Sequence, residues 1–243
     1  MIGMIEDITR RKQLEQHKDD FMGIVSHELK TPVTSLKVYT QLLQEQFEAY
    51  HDVVTASMLQ KMDNQINKLN LLIKDLLDTA QIDSDTLQVA NQLFDLNDVL
   101  NEVIEDASLV GAAHRIIKKN DQSFFVVGDA IRTSQVIFNL ISNAIKYSPH
   151  AHEIIINTAQ KDKYVLCSVQ DFGMGIAPEN LPNVFEKYFR VYNKSLGTYP
   201  GLGLGLFISA QIIHQQGGNI WVESKEGEGS TFWFSLPLTN QEL

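Results

Sequence analysis

The sequence has a single cysteine, few positive charges and no long apolar run, and each scarcity excludes a class of protein. Cys167 has no second cysteine to pair with, so an internal disulfide is excluded and a reducing, cytoplasmic setting is expected. No apolar stretch approaches the ~20 residues that a membrane-spanning helix needs. Residues 1–12 are charged throughout and do not form a signal peptide. We therefore expect these residues to be soluble and to make no membrane contact. A membrane anchor further upstream in the parent protein would be consistent with this expectation.

Positive charge is scarce, with 20 Lys and Arg against 30 Asp and Glu and a formal net charge of -10. A nucleic-acid-binding protein would present a basic face, so this balance argues against nucleic acid as a partner. Apolar residues make up 44% of the chain and charged residues 21%, which is enough to build a core and excludes wholesale disorder. The length corresponds to one or two domains of roughly 150 residues each.

The first third of the chain predicts a helical hairpin. On a helical wheel of residues 10–47 the apolar side chains share one arc, and His27 lies outside it, on the solvent side. A second helix at 52–83 has a heptad seam of apolar residues, namely Leu59, Met62, Ile66, Leu69, Ile73, Leu76 and Ala80. The link at 48–51 is short, which favours an antiparallel pair. One hairpin buries little apolar surface, so we expect a homodimer with a four-helix bundle.

The pattern changes after a polar stretch at 82–93, and we place a domain boundary near Ser84. Helices are then predicted at 96–113, 130–147 and 204–216, and strands at 123–127, 153–159, 164–170, 219–224 and 230–236. In the helix at 130–147 the residues expected to face the core are Ile131, Val136, Ile137, Leu140, Ile141 and Ala144. The predicted fold class is α+β, with the helical hairpin followed by a two-layer α/β sandwich that has helices on one face of a sheet.

Two glycine-rich segments and one polar helical stripe are the candidate chemical features. The segment 171–175 (DFGMG) follows a predicted strand, and 201–205 (GLGLG) precedes a predicted helix. Glycine lets a backbone approach a ligand closely, and amides at a helix N-terminus bind phosphate, although a tight turn explains either segment alone equally well. Neither follows the Walker pattern. The polar stripe lies on the helix at 130–147 and consists of Asn139, Asn143, Lys146 and Tyr147. The alternative interpretation is that this stripe is an ordinary solvent-exposed helix face without a binding role.

Taken together, these segments resemble the sensor histidine kinases of two-component systems. The phosphoacceptor box of that family is similar to 27–32 (HELKTP), and the N, G1, F and G2 boxes are similar to 139–147, 171–175, 185–190 and 201–205. Residues 229–232 resemble the last glycine motif. The boxes occur in the family's order, and the likeness covers residues 21–238. Residues 3–12 also resemble the end of a PAS sensor domain with its linker.

The resemblance implies three parts: residues 1–20 end an upstream sensor domain and form a linker helix, 21–84 form the dimerisation and phosphotransfer domain, and 85–243 form the catalytic ATP-binding domain. It also implies a sensor histidine kinase core that phosphorylates His27 from Mg-ATP and passes the phosphoryl group to an aspartate of a response regulator, with phosphatase activity toward that regulator. The expected partners are a second copy of the chain and the receiver domain of the regulator.

Further roles follow from the same resemblance. Glu28 is expected to act as the general base, Thr31 to orient water for dephosphorylation, and Arg190 to stabilise charge on the transferring group. The expected cofactors are ATP and Mg²⁺, with Asn139 as the metal ligand. Asp171 is expected to accept the adenine amino group, and residues 178–200 to form a lid. The full set expected around the nucleotide is Asn139, Asn143, Lys146, Tyr147, Asp171, Gly173, Gly175, Gly201, Leu202, Gly203, Leu204 and Gly205.

Two alternatives remain open at this stage. A degenerate kinase would bind ATP or a regulator without transferring phosphate. An ATPase machine of the gyrase or chaperone type shares the expected nucleotide fold but lacks a phosphoacceptor hairpin before it, so the first 84 residues discriminate between the two classes.

Overall fold

The structure is a computed structural model that describes residue 29 and residues 31–47, 52–110, 114–190 and 202–239. The chain divides into two compact units, Met1–Leu87 and Gln88–Leu243. Within the described ranges, no helix is both long enough and apolar enough to cross a membrane.

The first unit contains helix α1, over residues 31–47, and helix α2, Val53–Asp83. Asp52 caps α2 by accepting a hydrogen bond at its side chain from the Thr55 backbone amide, and its bonds to Thr55 hold the pKa of Asp52 below its ordinary value. Lys37 Nζ donates to Asn67 Oδ1 at 2.8 Å, and Gln44 Nε2 donates to Gln60 Oε1 at 2.9 Å. As the residue number increases along α1, the number of its partner on α2 decreases, which confirms the antiparallel hairpin.

The interior of the hairpin is partly apolar and partly polar. Val33, Ile73 and Leu77 form a buried cluster with Ile66 packed against it. One turn away lies the buried carboxylate of Asp63, whose Oδ2 accepts a hydrogen bond from Asn67 Nδ2 at 2.8 Å.

The second unit has three α-helices and seven strands among its described residues. The helices are α3 (Leu96–Val110), α4 (Ala130–Tyr147) and α5 (Gly205–Gln215), with a short 3₁₀ helix at Leu181–Asn183. The strands are β1 (Gln92–Asp95), β2 (Arg115–Lys118), β3 (Phe125–Gly128), β4 (Glu153–Lys161), β5 (Tyr164–Gln170), β6 (Asn219–Lys225) and β7 (Gly229–Pro237). Strands β1 and β3 form a two-stranded antiparallel sheet, and the main sheet has the order β2-β4-β5-β7-β6.

The main sheet is antiparallel except for the parallel pair β2 and β4, and the helices pack on one of its faces. Alternate residues on that face are buried, namely Ile154, Ile156, Val165, Cys167, Val169, Ile220, Phe232, Phe234 and Leu236. Burial raises the pKa of the Cys167 thiol to about 12, as expected for an inert core residue. The two-layer α/β sandwich is confirmed.

The structure differs from the sequence-based expectation at four places. Strands β1 and β2 were not predicted, because each has only four residues and no clear alternation, and each depends on a partner distant in sequence. Strand β3 begins at Phe125, two residues later than expected. Ile131 is 80% exposed, so its predicted inward position is wrong. On a wheel of ~100° per residue it lies roughly opposite the buried stripe of α4.

Candidate functional site

The polar stripe of α4 forms one wall of the candidate site. Asp129 caps this helix by accepting a hydrogen bond from the Arg132 amide at 2.9 Å. The four stripe residues, Asn139, Asn143, Lys146 and Tyr147, are all half-buried. The ammonium of Lys146 lies 4.7 Å from the centroid of the Tyr147 ring, which places a cation and an aromatic surface side by side at the end of the helix.

The second glycine-rich segment lies against the middle of α4. Helix α5 begins at Gly205, where an added Cβ would lie only 2.5 Å from Asn139 Oδ1. On the next turn of α5, Ser209 Oγ accepts a hydrogen bond from Asn139 Nδ2 at 3.0 Å. The N-terminus of α5, with its unpaired amides, therefore faces the same space as the Asn139 amide.

The first glycine-rich segment lies against the end of α4. An added Cβ on Gly173 would be 2.1 Å from the main-chain oxygen of Tyr147, and the Met174 amide donates to that same oxygen at 3.3 Å. At Gly175 the backbone has φ +66°, and a Cβ there would be 2.1 Å from the Lys225 carbonyl oxygen. Glycine is required at both positions, because the side chain of any other residue would collide with a neighbouring backbone carbonyl group.

Asp171 is buried at the start of this loop. Its Oδ1 accepts hydrogen bonds from the Gly173 amide at 2.8 Å and the Ser230 amide at 3.3 Å. Burial raises the pKa of Asp171 above its ordinary value, and the two backbone hydrogen bonds oppose the shift. Among the described residues no donor reaches Oδ2, so one carboxylate oxygen is held in place while the other is available to a ligand.

The middle of the expected lid is bonded to the second glycine-rich segment. The Tyr188 amide donates to the Gly203 carbonyl at 3.0 Å. A Cβ on Gly203, where φ is +71°, would be 2.8 Å from the Phe189 carbonyl oxygen and 3.1 Å from Arg190 Cγ. The exposed Arg190 is thus positioned beside the second glycine segment.

Two further site residues differ in what they offer a ligand. The side chain of Leu202 is exposed, whereas that of Leu204 is fully buried in the core. Only the main chain of Leu204 can therefore face a bound molecule.

Several expected site residues lie outside the described part of the chain. These are His27, Glu28 and Gly201, together with the second part of the expected lid, 191–200, and the segment at 3–12. Thr31 is described and is exposed at the start of α1.

The structure also identifies supporting residues that sequence reasoning missed. Ser224 Oγ accepts a hydrogen bond from the Ile176 amide at 2.8 Å and lies 2.9 Å from Ser230 Oγ, so the β6–β7 hairpin holds the first glycine loop. The position of Ser230 in the last glycine motif was a usable signal. For Ser209 the only signal was a lone hydroxyl in an apolar helix.

The family comparisons agree with this geometry. Residues 17–85 match the family described as the His Kinase A (phospho-acceptor) domain, and residues 128–240 match the histidine kinase-, DNA gyrase B- and HSP90-like ATPases. The chain belongs to the sensor histidine kinases of two-component systems. Because a phosphoacceptor domain precedes the ATPase domain in this kinase core, the gyrase and chaperone alternative is excluded.

Named relatives lead to the same family. Sensor histidine kinase WalK of Bacillus subtilis (strain 168) is 30% identical over 246 residues, covering 100% of this chain and 40% of that protein. Sensor protein SrrB of Staphylococcus aureus (strain N315) is 33% identical over 244 residues, covering 98% of this chain and 41% of that protein. The kinase core thus spans about two fifths of the length of these curated relatives.

A solved structure shows the same fold. The crystal structure of full-length ShkA in complex with AMPPNP matches with a TM-score of 0.71 at 22% identity, over 92% of this chain and 47% of that chain.

The ATPase family of the second unit implies that this kinase core uses ATP. Its residues fit a nucleotide, because both glycine-rich segments lie directly against the polar stripe of α4 and Asp171 keeps one carboxylate oxygen for a donor. Within the described ranges, no group of three or more His, Cys, Asp or Glu side chains could hold a metal by itself. A site with a single amide oxygen suits Mg²⁺, which keeps several waters and binds mainly to the phosphates.

Proposed function

We propose that this kinase core transfers the γ-phosphoryl group of Mg-ATP to His27 and then to an aspartate in the receiver domain of a response regulator. In the first step an imidazole nitrogen of His27 forms a bond to the γ-phosphorus, the bond from phosphorus to the bridging β–γ oxygen breaks, and ADP leaves. Glu28 takes the imidazole proton. Such transfers depend on positioning and electrostatic stabilisation, which a preformed site supplies.

The observation that carries the proposal is the half-satisfied carboxylate of Asp171. Its Oδ1 is held by two backbone amides, and Oδ2 is directed to no described donor. We assign Oδ2 to the adenine amino group, which requires an acceptor. Gly173 and Gly175 let the loop that follows Asp171 pack directly against the Tyr147 and Lys225 carbonyl groups, which fixes the loop beside the proposed adenine site.

The phosphate end of the nucleotide is assigned to the other half of the site. Lys146 is the cation for phosphate, with Asn143 and Tyr147 as further contacts along the same helical stripe. Helix α5 begins at Gly205, and its N-terminal amides favour anions. Gly201 and Gly203 of the same glycine-rich segment are assigned to the phosphates from the motif. Arg190, beside Gly203, supplies a further positive charge to the transferring group.

Asn139 is assigned as the Mg²⁺ ligand through Oδ1. When bound, the metal neutralises charge on the β- and γ-phosphates, which stabilises the transfer. The chain's own contribution is the position of one amide oxygen beside the start of α5, where the phosphates are expected.

We further propose that the hairpin, residues 21–84, forms a homodimer, while residues 85–243 form the catalytic domain and residues 1–20 end an upstream sensor and linker. The separation of the structure into units at Leu87 and Gln88 supports this division. The heptad seam of α2 has a row that remains exposed, with Met62 at 53%, Leu69 at 44% and Leu76 at 45%.

An equivalent exposed row consists of Leu29, two residues before α1, and Leu36 and Leu43 in α1, also seven residues apart. The antiparallel register places each member of one row at the level of a member of the other. An apolar stripe of this kind across two helices is what a second hairpin would cover in a four-helix bundle.

Thr31 is proposed to orient water when the kinase dephosphorylates its regulator. It is exposed at the start of α1, four residues after His27, and so is on the face where a receiver domain could approach. A Thr31→Ala variant should lose phosphatase activity and keep autophosphorylation.

The test is incubation of the whole chain with γ-labelled ATP and Mg²⁺, alongside His27→Ala and the matched control His214→Ala. His214 is exposed on α5 and has no assigned role. Acid-labile, base-stable label should appear in the parent and the control and be absent from His27→Ala. Label that persists in His27→Ala would show that His27 is not the phosphoacceptor. ATP binding without label in any of the three proteins would favour a degenerate kinase.

A further inference from the structure

Ser209 occupies an unexpected position for a hydroxyl group. It lies on α5 among Ile208, Ile212 and Ile213 and is itself only 2% exposed. Buried hydroxyl groups are nearly always hydrogen-bonded. The contact that Ser209 makes is with Asn139 Nδ2 on α4, at 3.0 Å.

The amide group of Asn139 has two chemically different ends, and only its oxygen can bind a cation. In the structure the nitrogen end meets Ser209, and Oδ1 faces Gly205 at the start of α5. If the oxygen is to remain directed at the metal, the NH₂ group must find a partner elsewhere. A residue without a hydroxyl at position 209 would leave this donor unpaired in the metal-binding orientation.

We propose that Ser209 is a positioning residue for Asn139, whose hydroxyl accepts the amide hydrogen and keeps Oδ1 directed at the Mg²⁺ of bound Mg-ATP. The inference rests on the proposed function, because it takes Asn139 as the metal ligand. Gly205 completes the arrangement, since any larger residue would occupy the space beside Oδ1.

The direct test compares nucleotide binding by the whole chain in Mg²⁺ and in EDTA, using competition with a fluorescent ATP analogue. Partners that orient a metal ligand typically contribute 10- to 100-fold to metal affinity, so Ser209→Ala should weaken Mg-ATP binding by about 10- to 100-fold. ATP binding in EDTA should change by less than about two-fold, because no metal contact is then lost. Ser209→Thr, which keeps a hydroxyl, should restore part of the Mg²⁺-dependent affinity.

Two controls separate positioning from a general structural effect. Ser134→Ala removes a serine hydroxyl from α4 that donates to the Ala130 carbonyl, and it should leave binding unchanged in both conditions. Thermal unfolding without nucleotide checks that each variant is folded. Equal losses in Mg²⁺ and in EDTA for Ser209→Ala would overturn the proposal, because a damaged helix pair would weaken both.

An Asn139→Ala variant distinguishes the two levels of the argument. If it removes the Mg²⁺ dependence and Ser209→Ala does not, the positioning role is wrong and the metal assignment stands. If Asn139→Ala leaves the Mg²⁺ dependence intact, the metal assignment in the proposed function is wrong as well. In the expected outcome, Ser209→Ala has no additional effect on Mg²⁺ dependence in the Asn139→Ala background, because the two residues act through one contact.

Discussion

The contact between Gly173 and α4 predicts that Gly173→Ala weakens nucleotide binding. The new Cβ would lie 2.1 Å from the Tyr147 carbonyl oxygen and 2.7 Å from its carbonyl carbon. Close carbon–oxygen contacts in proteins are about 3.3 Å, so the loop and the helix end must separate by about 1.2 Å. Backbone atoms on both sides leave no flexible side chain to absorb this movement.

The magnitude follows from the cost of overpacking. Inserting a methyl group into a tightly packed place typically costs about 1–3 kcal/mol. If the loop must return to its present position to bind adenine, this corresponds to about 5- to 140-fold weaker binding. The assay is competition of ATP with a fluorescent analogue at saturating Mg²⁺, with thermal unfolding measured in parallel.

Gly227→Ala is the matched control on the neighbouring hairpin. An added Cβ at Gly227 meets nothing within 4 Å, although its φ of +81° makes alanine strained by roughly 1–2 kcal/mol. This variant should lower the unfolding temperature and keep nucleotide affinity. Normal affinity in a folded Gly173→Ala protein would refute the proposed closeness of the loop to α4 in the binding state, and equal losses in both variants would point to the hairpin as a whole.

Further predictions concern the core, the dimer and pH. Leu140 is buried, so Leu140→Ala should lower the free energy of unfolding of the second unit by about 2–5 kcal/mol in denaturant titration. Ile131→Ala, at an exposed position of the same helix, should change this free energy by less than about 0.5 kcal/mol. Similar effects of the two variants would contradict the observed burial. Leu69→Glu should convert the dimer to monomer in light scattering, while Leu71→Glu, on the opposite side of α2, should not; an unchanged mass would place the interface elsewhere. Burial raises the pKa of Asp75 from 3.8 to about 6, so the charged form is disfavoured in the folded state, and the melting temperature of the helical unit should rise as pH falls through 6 toward 3.8. Asp75→Asn should flatten this trend in circular dichroism, and a trend that persists would assign it to another group.

Local patterns in the sequence were sufficient for much of the fold. The heptad seam of α2 predicts a hairpin helix because a period of three and four residues is a property of neighbouring positions. Helices α4 and α5 were placed within one or two residues of their observed ends. The strands β6 and β7 were also predicted, since two strands separated by a short glycine turn leave a continuous local pattern, and the structure pairs them antiparallel.

The candidate site was foreseen from motifs only as a set of residues. The glycines and Asn139, Asp171 and Lys146 were identified by type and spacing. The positions of His27 and Gly201 stay predictions, because they lie outside the described residues. No local pattern indicates which oxygen of Asp171 is held by backbone amides and which remains for a ligand.

The sequence by itself determined the order of helices and strands and the kinds of residue that the nucleotide site would contain. Only the tertiary structure decided how those residues meet: that β2 pairs in parallel with β4, that Gly173 lies against the end of α4, and that Ser209 holds Asn139. The physical reason is distance along the chain. Periodicity and capping act over a few neighbouring positions, whereas Asn139 and Ser209 are 70 residues apart and are brought together only when α4 and α5 pack on the same sheet.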